Sequence, residues 1–286
     1  MGHATPSQPT ILNVQMPFFE NDFARLHYYQ YGTGNQILIA FHGFGMRGNQ
    51  FSQLQDALGN KYTIYSFDLF FHGKTELKDD TVDTIRKGLN PHQIASTINA
   101  FLIAMGENNT PFSLLSYSIG AKLALALLQQ MPGRIKTAYF IAADGFHANT
   151  VLKICSSKHI NNWLLKLVYH PKTLHYILNQ LHKYHYIDDA LHRILSFEFS
   201  TQAYRMISYK TITYYSRLKF NKQQLAQHIN QNHIEAHFFF GKTDKLFPAS
   251  IAHRFGKLLH KPNIHIFNQG HELINHELNN YLKTIL

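Results

Sequence analysis

The feature that most limits the fold is a rhythm. From residue 36 to about 145, short continuous apolar runs alternate with segments of helical spacing. The runs are "QILIAFHGFG", "YTIYSFDLF", "FSLLSYSIG" and "IKTAYFIAADG". They have the length of strands, and their lack of polar alternation is what burial on both faces requires. Between them, "NPHQIASTINAFLIAMG" opens on proline and closes on glycine. Residues 119–131 are rich in alanine and leucine and stop at Pro132 and Gly133. Residues 49–58 set Phe51, Leu54 and Leu58 on one side of a helix. Strands that alternate with helices pair in parallel through crossovers. The expected class is therefore α/β, with a mostly parallel central sheet and helices on both faces. "RLHYYQYG", residues 25–32, adds an earlier strand that ends in a glycine turn.

The rhythm breaks at about residue 146. From there to 222 no convincing buried strand is seen. Apolar residues instead recur at three- and four-residue spacing, interrupted at Pro171, as in several short amphipathic helices. Alternation resumes with "HIEAHFFFG" and "NIHIFNQG", each followed by a helical segment. The expected organisation is one α/β domain in two parts, 1–145 and 223–286, around a helical insertion at 146–222.

Charge is unevenly spread. The chain of 286 residues has a formal charge of +10, with 15% charged residues. About +8 of that lies between His147 and Lys222. Such a block attracts acidic partners or forms a solvated surface. No nucleic-acid motif accompanies it, so no nucleic-acid partner is expected. The one cysteine, Cys155, excludes an intramolecular disulfide and fits a reducing compartment. It reads as a small packed residue, not a nucleophile. "MGHATPSQPTILNVQMPFFEND" has neither a basic start nor an apolar centre, so no secretory leader is expected. No run approaches the roughly 18 apolar residues of a membrane span. The expected location is cytoplasmic.

"SYSIG", residues 116–120, stands where a strand pattern turns into a helix pattern. A small-residue turn is one reading. The other is a nucleophile. A serine hydroxyl needs a base, a group to orient that base, and donors for the oxyanion. A sharp strand-to-helix corner lifts the Ser118 side chain clear and sets the N–H of Ile119 at a helix start. Close approach of strand and helix requires small residues on either side, here Ser116 and Gly120. The usual pattern is G-x-S-x-G, and serine replaces its first glycine.

Four more stretches lie at strand ends: "FHGFG" (41–45), "DLFFHGKT" (68–75), "FFFGKTDKLFP" (238–248) and "NQGHELI" (268–274). With the Ser118 corner, they give the chain a resemblance to the α/β-hydrolase family, specifically to its capped serine esterases. The resemblance covers nearly all of the chain from about residue 25. It implies a Ser118, Asp244, His271 triad in the order expected of that fold. It implies oxyanion donors at the N–H groups of Phe44 and Ile119, with His42 structural. Asp144, at the end of another strand, is a rival for the acid. In "DLFFHGKT" the family has glycine where this chain has Phe71, and serine where it has Thr75. That loop reads as architectural. His271 and His276 are five apart and diverge around a helix, so no metal site is expected, and no cofactor.

The implied reaction is hydrolysis of a carboxylic ester or related acyl bond of a small-molecule substrate. Serine at 118 argues against haloalkane dehalogenases, which use aspartate there. The insertion resembles a cap whose residues shape the acyl pocket. Tyr117, Trp163, Leu164, Leu167, Tyr169 and Phe199 are candidates for its wall, or for the cap's own core. Some capped esterases dock an acidic carrier protein. Lys153, Lys158, Lys166, Arg193, Arg205 and Arg217 are the residues that would serve that role. A non-catalytic binding protein on the same fold is the alternative.

Overall fold

The computed structural model describes residues 17–146, 157–187 and 189–286. Lys153 and Cys155 lie outside them, as do residues 1–16. The strands are β1 (Phe18–Glu20), β2 (Ala24–Tyr31), β3 (Gln36–Phe41), β4 (Tyr62–Phe67), β5 (Glu76–Leu77), β6 (Phe112–Tyr117), β7 (Ile135–Ile141), β8 (Glu235–Gly241) and β9 (Asn263–Phe267). They form one sheet in the order β1-β2-β4-β3-β6-β7-β8-β9, with β5 also paired to β2. From β4 to β9 every pairing is parallel, and those of β2 are antiparallel. This is the mostly parallel sheet expected from the alternation. Strands β1 and β5 have too few residues to produce a readable period.

Burial on both faces explains the unbroken apolar runs. In β3, Ile37, Ile39 and Phe41 join one core while Leu38 and Ala40 join the other. In β8, Ala236, Phe238 and Phe240 oppose Phe239 in the same way. Alternate side chains of a strand point to opposite faces, so a two-sided core needs apolar residues at every position.

The first face is covered by α3 (Pro91–Ala104), α4 (Ala121–Gln130), α9 (Lys222–Gln231) and α10 (Ser250–Gly256). The second is covered by α1 (Gln55–Leu58), the 3-10 turn before it, and α11 (His276–Ile285). Helix α3 starts as its sequence indicates. Asn90 caps it in a capping box with Gln93, and Pro91 takes the first helical position. A short helix, α2 (Val82–Lys87), precedes it.

Between β7 and β8 the chain forms α5 (Lys158–Tyr169), α6 (Pro171–Lys183), α7 (Asp189–Glu198) and α8 (Gln202–Tyr215). Pro171 opens α6. Proline cannot continue α5 but suits the first turn of a new helix. None of the described helices is long and apolar enough to cross a membrane.

Candidate active site

The corner at Ser118 is as sharp as its sequence suggests. Ser118 has φ +52°, in the left-handed region that non-glycine residues seldom occupy. This turn throws the side chain out of the strand and starts the helix at once. The helix then runs so close to β3 that a Cβ at Gly120 would collide with the carbonyl oxygens of Phe41 and His42. Glycine is required there by contact, not by its dihedral angles. Ser116 is fully buried, and its hydroxyl faces the Tyr139 carbonyl at 3.4 Å.

His271 lies beyond β9 and Asp244 beyond β8. The two loops meet because Gly241 lets the Gly270 carbonyl approach, where any side chain would clash. His271 Nε2 is 3.1 Å from Ser118 Oγ. His271 Nδ1 is 2.8 Å from Asp244 Oδ2. Asp244 Oδ1 accepts the N–H groups of Leu246 and Phe247, both at 2.9 Å. With one oxygen fixed by the backbone, the other is aimed at the imidazole. A carboxylate on Nδ1 selects the tautomer with hydrogen there and leaves Nε2 free to accept. Hydroxyl, imidazole and carboxylate thus form one hydrogen-bonded row, 3–6% exposed.

Aromatic side chains hold the imidazole in place. The ring of Tyr117 lies 5.3 Å from His271, and that of Phe247 lies 5.5 Å away. The Tyr117 hydroxyl also donates to the His271 carbonyl at 3.0 Å. Tyr117 therefore braces the histidine loop. Its place next to Ser118 in sequence gave no sign of this role.

Asp144, the rival acid, lies just beyond β7 but turns elsewhere. Its carboxylate lies 3.6 Å from Lys122 Nζ in a buried pair, and Lys122 also donates to the Leu218 carbonyl at 3.3 Å. Asp144 N–H donates to the Ser118 carbonyl at 3.1 Å, which ties this loop to the corner.

The turn at Gly43, Phe44 and Gly45 lies against Ser118. A Cβ on Gly43 would be 3.5 Å from that of Ser118. No acceptor for the N–H groups of Phe44 or Ile119 is found among the described residues. Two neutral histidines shape this turn. His42 Nδ1–H donates to the Gly43 carbonyl at 2.7 Å, while Nε2 accepts Leu69 N–H at 2.9 Å. His72 Nδ1–H donates to the Phe70 carbonyl, while Nε2 accepts Gly45 N–H at 3.1 Å. Burial pushes both imidazoles below their ordinary pKa, His42 well below it. Each ring must stay unprotonated to accept its N–H.

The loop after β4 is built around Asp68. Its carboxylate accepts Gly48 N–H at 2.8 Å and Lys74 N–H at 3.0 Å, and lies 2.7 Å from His27 Nδ1. Phe71 has φ +68°, which explains why glycine suits that position. Its ring instead packs edge-on against Tyr214 at 5.4 Å.

The insertion touches the loops that carry these residues. Glu198 lies against Gly45, the Tyr215 hydroxyl accepts Phe70 N–H at 3.1 Å, and Lys245 Nζ donates to the His185 carbonyl at 3.2 Å. Of the residues expected to line a pocket, Leu167 is buried and Leu164 and Phe199 are half-buried. Trp163 is 48% exposed, and Tyr169 is exposed as well, so solvent shares both side chains. Spacing explains the split: Asn161, Leu164 and Leu167 occupy the inner face of α5, and Trp163 and Lys166 the outer.

The docking residues need one correction. Arg205 is buried, and its guanidinium donates to the carbonyls of Val168, Phe199 and Ser200. It fastens α8 to the rest of the insertion and is not available to a partner. Lys166, Arg193 and Arg217 are exposed.

A family described as alpha/beta hydrolase fold matches residues 36–158. Among solved structures, a thermophilic esterase from Thermogutta terrifontis is 11% identical with a TM-score of 0.65, covering 92% of each chain. The esterase EaEST from Exiguobacterium antarcticum is 17% identical with a TM-score of 0.61, covering 92% of this chain and 94% of its own. The carboxylesterase CesB from Bacillus subtilis is 13% identical with a TM-score of 0.58, covering 96% of this chain and 90% of its own. At such identities the likeness is one of fold. Among curated proteins, none matches the sequence.

Proposed function

This chain is an α/β-hydrolase-fold protein, and we propose that it is a serine hydrolase cleaving a carboxylic ester or related acyl bond through an acyl-enzyme. The observation that carries this reading is the row from Ser118 through His271 to Asp244, with Ser118 held on a strained backbone. Strain at a non-glycine residue persists only where the surroundings enforce it, and such residues gather at reactive sites. The esterase names of the structural neighbours point the same way.

In this mechanism Ser118 Oγ bonds to the carbonyl carbon as its proton passes to His271 Nε2. Asp244 stabilises the imidazolium that results. The carbonyl oxygen, now an anion, takes the N–H groups of Phe44 and Ile119. A backbone donor aimed at that oxygen is worth ~3 kcal/mol. The alcohol leaves with the proton from Nε2. Water then adds to the acyl carbon, giving its proton to Nε2, and Ser118 departs with that proton to regenerate the free hydroxyl. No metal or cofactor takes part in these steps.

The helices between β7 and β8 act as a cap in this reading. With Ser118 and His271 about 5% exposed, substrate enters by displacement of the groups that cover them.

A fluorophosphonate probe and p-nitrophenyl esters test the proposal. Wild-type protein is expected to label covalently and to hydrolyse at least one chain length. Ser118→Ala, folded by circular dichroism, is expected to do neither. Undiminished hydrolysis by that variant would falsify the assignment.

A further inference from the structure

The insertion brings one acidic side chain to the turn that holds Phe44. Glu198, the last residue of α7, is 6% exposed. Its carboxylate lies against Gly45: a Cβ on that glycine would stand 2.9 Å from Oε1. Phe44, whose N–H is assigned to the oxyanion, is the preceding residue.

The carboxylate has no hydrogen-bond or ion-pair partner among the described residues. Its neighbours are already engaged. Gly45 N–H donates to His72, and the other ring nitrogen of His72 donates to the Phe70 carbonyl. Arg205, on the helix that follows, gives its guanidinium to three carbonyls. The surrounding segment is rich in lysine and arginine, yet none of those described forms an ion pair with Glu198. Burial alone raises the carboxyl above its ordinary pKa.

An unpaired carboxylate that is mostly shielded from solvent carries a desolvation cost. Such groups gather where a ligand completes the pairing. A protonated amine offsets the cost best, because it supplies both a donor and the opposite charge.

We propose that Glu198 is a specificity residue beside the oxyanion turn and receives an ammonium group of the substrate, making the preferred substrate an amino-bearing ester. The inference rests on the hydrolase reading of Ser118. The ammonium lies on the acyl chain or on the alcohol, since the oxyanion turn borders both sides of the scissile bond.

Two ester series distinguish these positions. One is p-nitrophenyl ω-aminoalkanoates against p-nitrophenyl alkanoates of matched length. The other is aminoalkyl alkanoates against alkyl alkanoates, followed by acid release. In one series kcat/KM is expected to favour the ammonium ester about tenfold or more, mainly through KM, as a charge-assisted hydrogen bond implies. In Glu198→Gln that ratio is expected to fall to about one, and Glu198→Asp is expected to restore part of it. A ratio near one in wild-type protein for both series, or a preference that survives Glu198→Gln, overturns the proposal.

Calorimetric titration with hexylammonium keeps the two readings separate. Wild-type and Ser118→Ala proteins are expected to bind it about tenfold more tightly than Glu198→Gln. Binding without any ester turnover would remove the hydrolase reading and leave Glu198 as an ammonium site. Turnover with neither preference nor binding would do the reverse. Circular dichroism and thermal melting of each variant establish that it is folded.

Discussion

In α4 of the core, every residue from Ala121 to Leu128 is buried; in α6 of the insertion, among the described residues, Leu178 alone is. The seam between the two regions differs again. Helix α8 buries Arg205, Ser208, Tyr209, Thr211, Thr213, Tyr214 and Tyr215, a mostly polar face. Asn161 donates to Thr213 and accepts from Tyr209 within the insertion, and it accepts from Arg86 of the core across the seam. The core is held by apolar packing that tolerates little displacement. The insertion meets it through directional bonds that water can replace as well as through the rings of Tyr214 and Tyr215. The contrast suits the proposed chemistry, in which the groups around Ser118 stay fixed and their cover moves.

The sharpest way to break this comparison is at the two aspartates. Asp244→Asn is expected to lower kcat about ten-thousandfold while the fold survives, because the imidazole is then held in the wrong tautomer. Asp144→Asn is expected to act on stability. It leaves buried Lys122 without its counter-ion, at a cost of ~3 to 5 kcal/mol, read as a shift of the urea midpoint. If Asp144→Asn abolished kcat and Asp244→Asn did not, the acid would be the other residue.

Packing comes next in size. Phe238→Ala opens a cavity between β8 and its covering helices and is expected to cost ~3 to 5 kcal/mol. A loss under about 1 kcal/mol would mean that the core is less tightly packed than its burial implies.

Acid also separates the regions. His42 and His72 are buried in the core with lowered pKa, and His265 is pushed down to about 4. The unfolded chain takes up protons at these residues near pH 6.5, before the folded one does. Their contribution to stability is therefore full above that pH and declines as pH falls from 6.5 towards 4. None of the described histidines of the insertion is buried. Urea midpoints at pH 7.5 and pH 5 are expected to fall with acid, and less so in a His72→Gln variant. A midpoint that rises with acid would contradict the neutral assignment of these rings.

The smallest effect belongs to the insertion surface. Phe197 is 61% exposed, and Phe197→Ala is expected to change stability by no more than ~0.5 kcal/mol. A larger loss would show that its contact with Tyr204 is part of a real core.

Much of this was legible from residue order because the core uses local signals. Two-sided burial writes itself as unbroken apolar runs, and Pro91, Pro171 and Asn90 mark helix starts directly. The corner at Ser118 was readable because one turn sets all its constraints. Elements of two or three residues, β1 and β5, carry no period and were missed. Long-range partnerships were equally silent. Nothing near Asp144 announces Lys122, nothing in Arg205 announces three carbonyls, and nothing around Glu198 announces Gly45. Each depends on how the insertion settles on the sheet, which no local pattern encodes.

Phe71 shows what that settling demands. Its left-handed backbone is a conformation glycine would take freely, at a cost of ~1 to 2 kcal/mol for a residue with a side chain. What the chain gains is a ring to set against Tyr214. Across divergent homologues, a glycine at 71 and the loss of the aromatic at 214 should arise together, leaving a paired trace in the sequences.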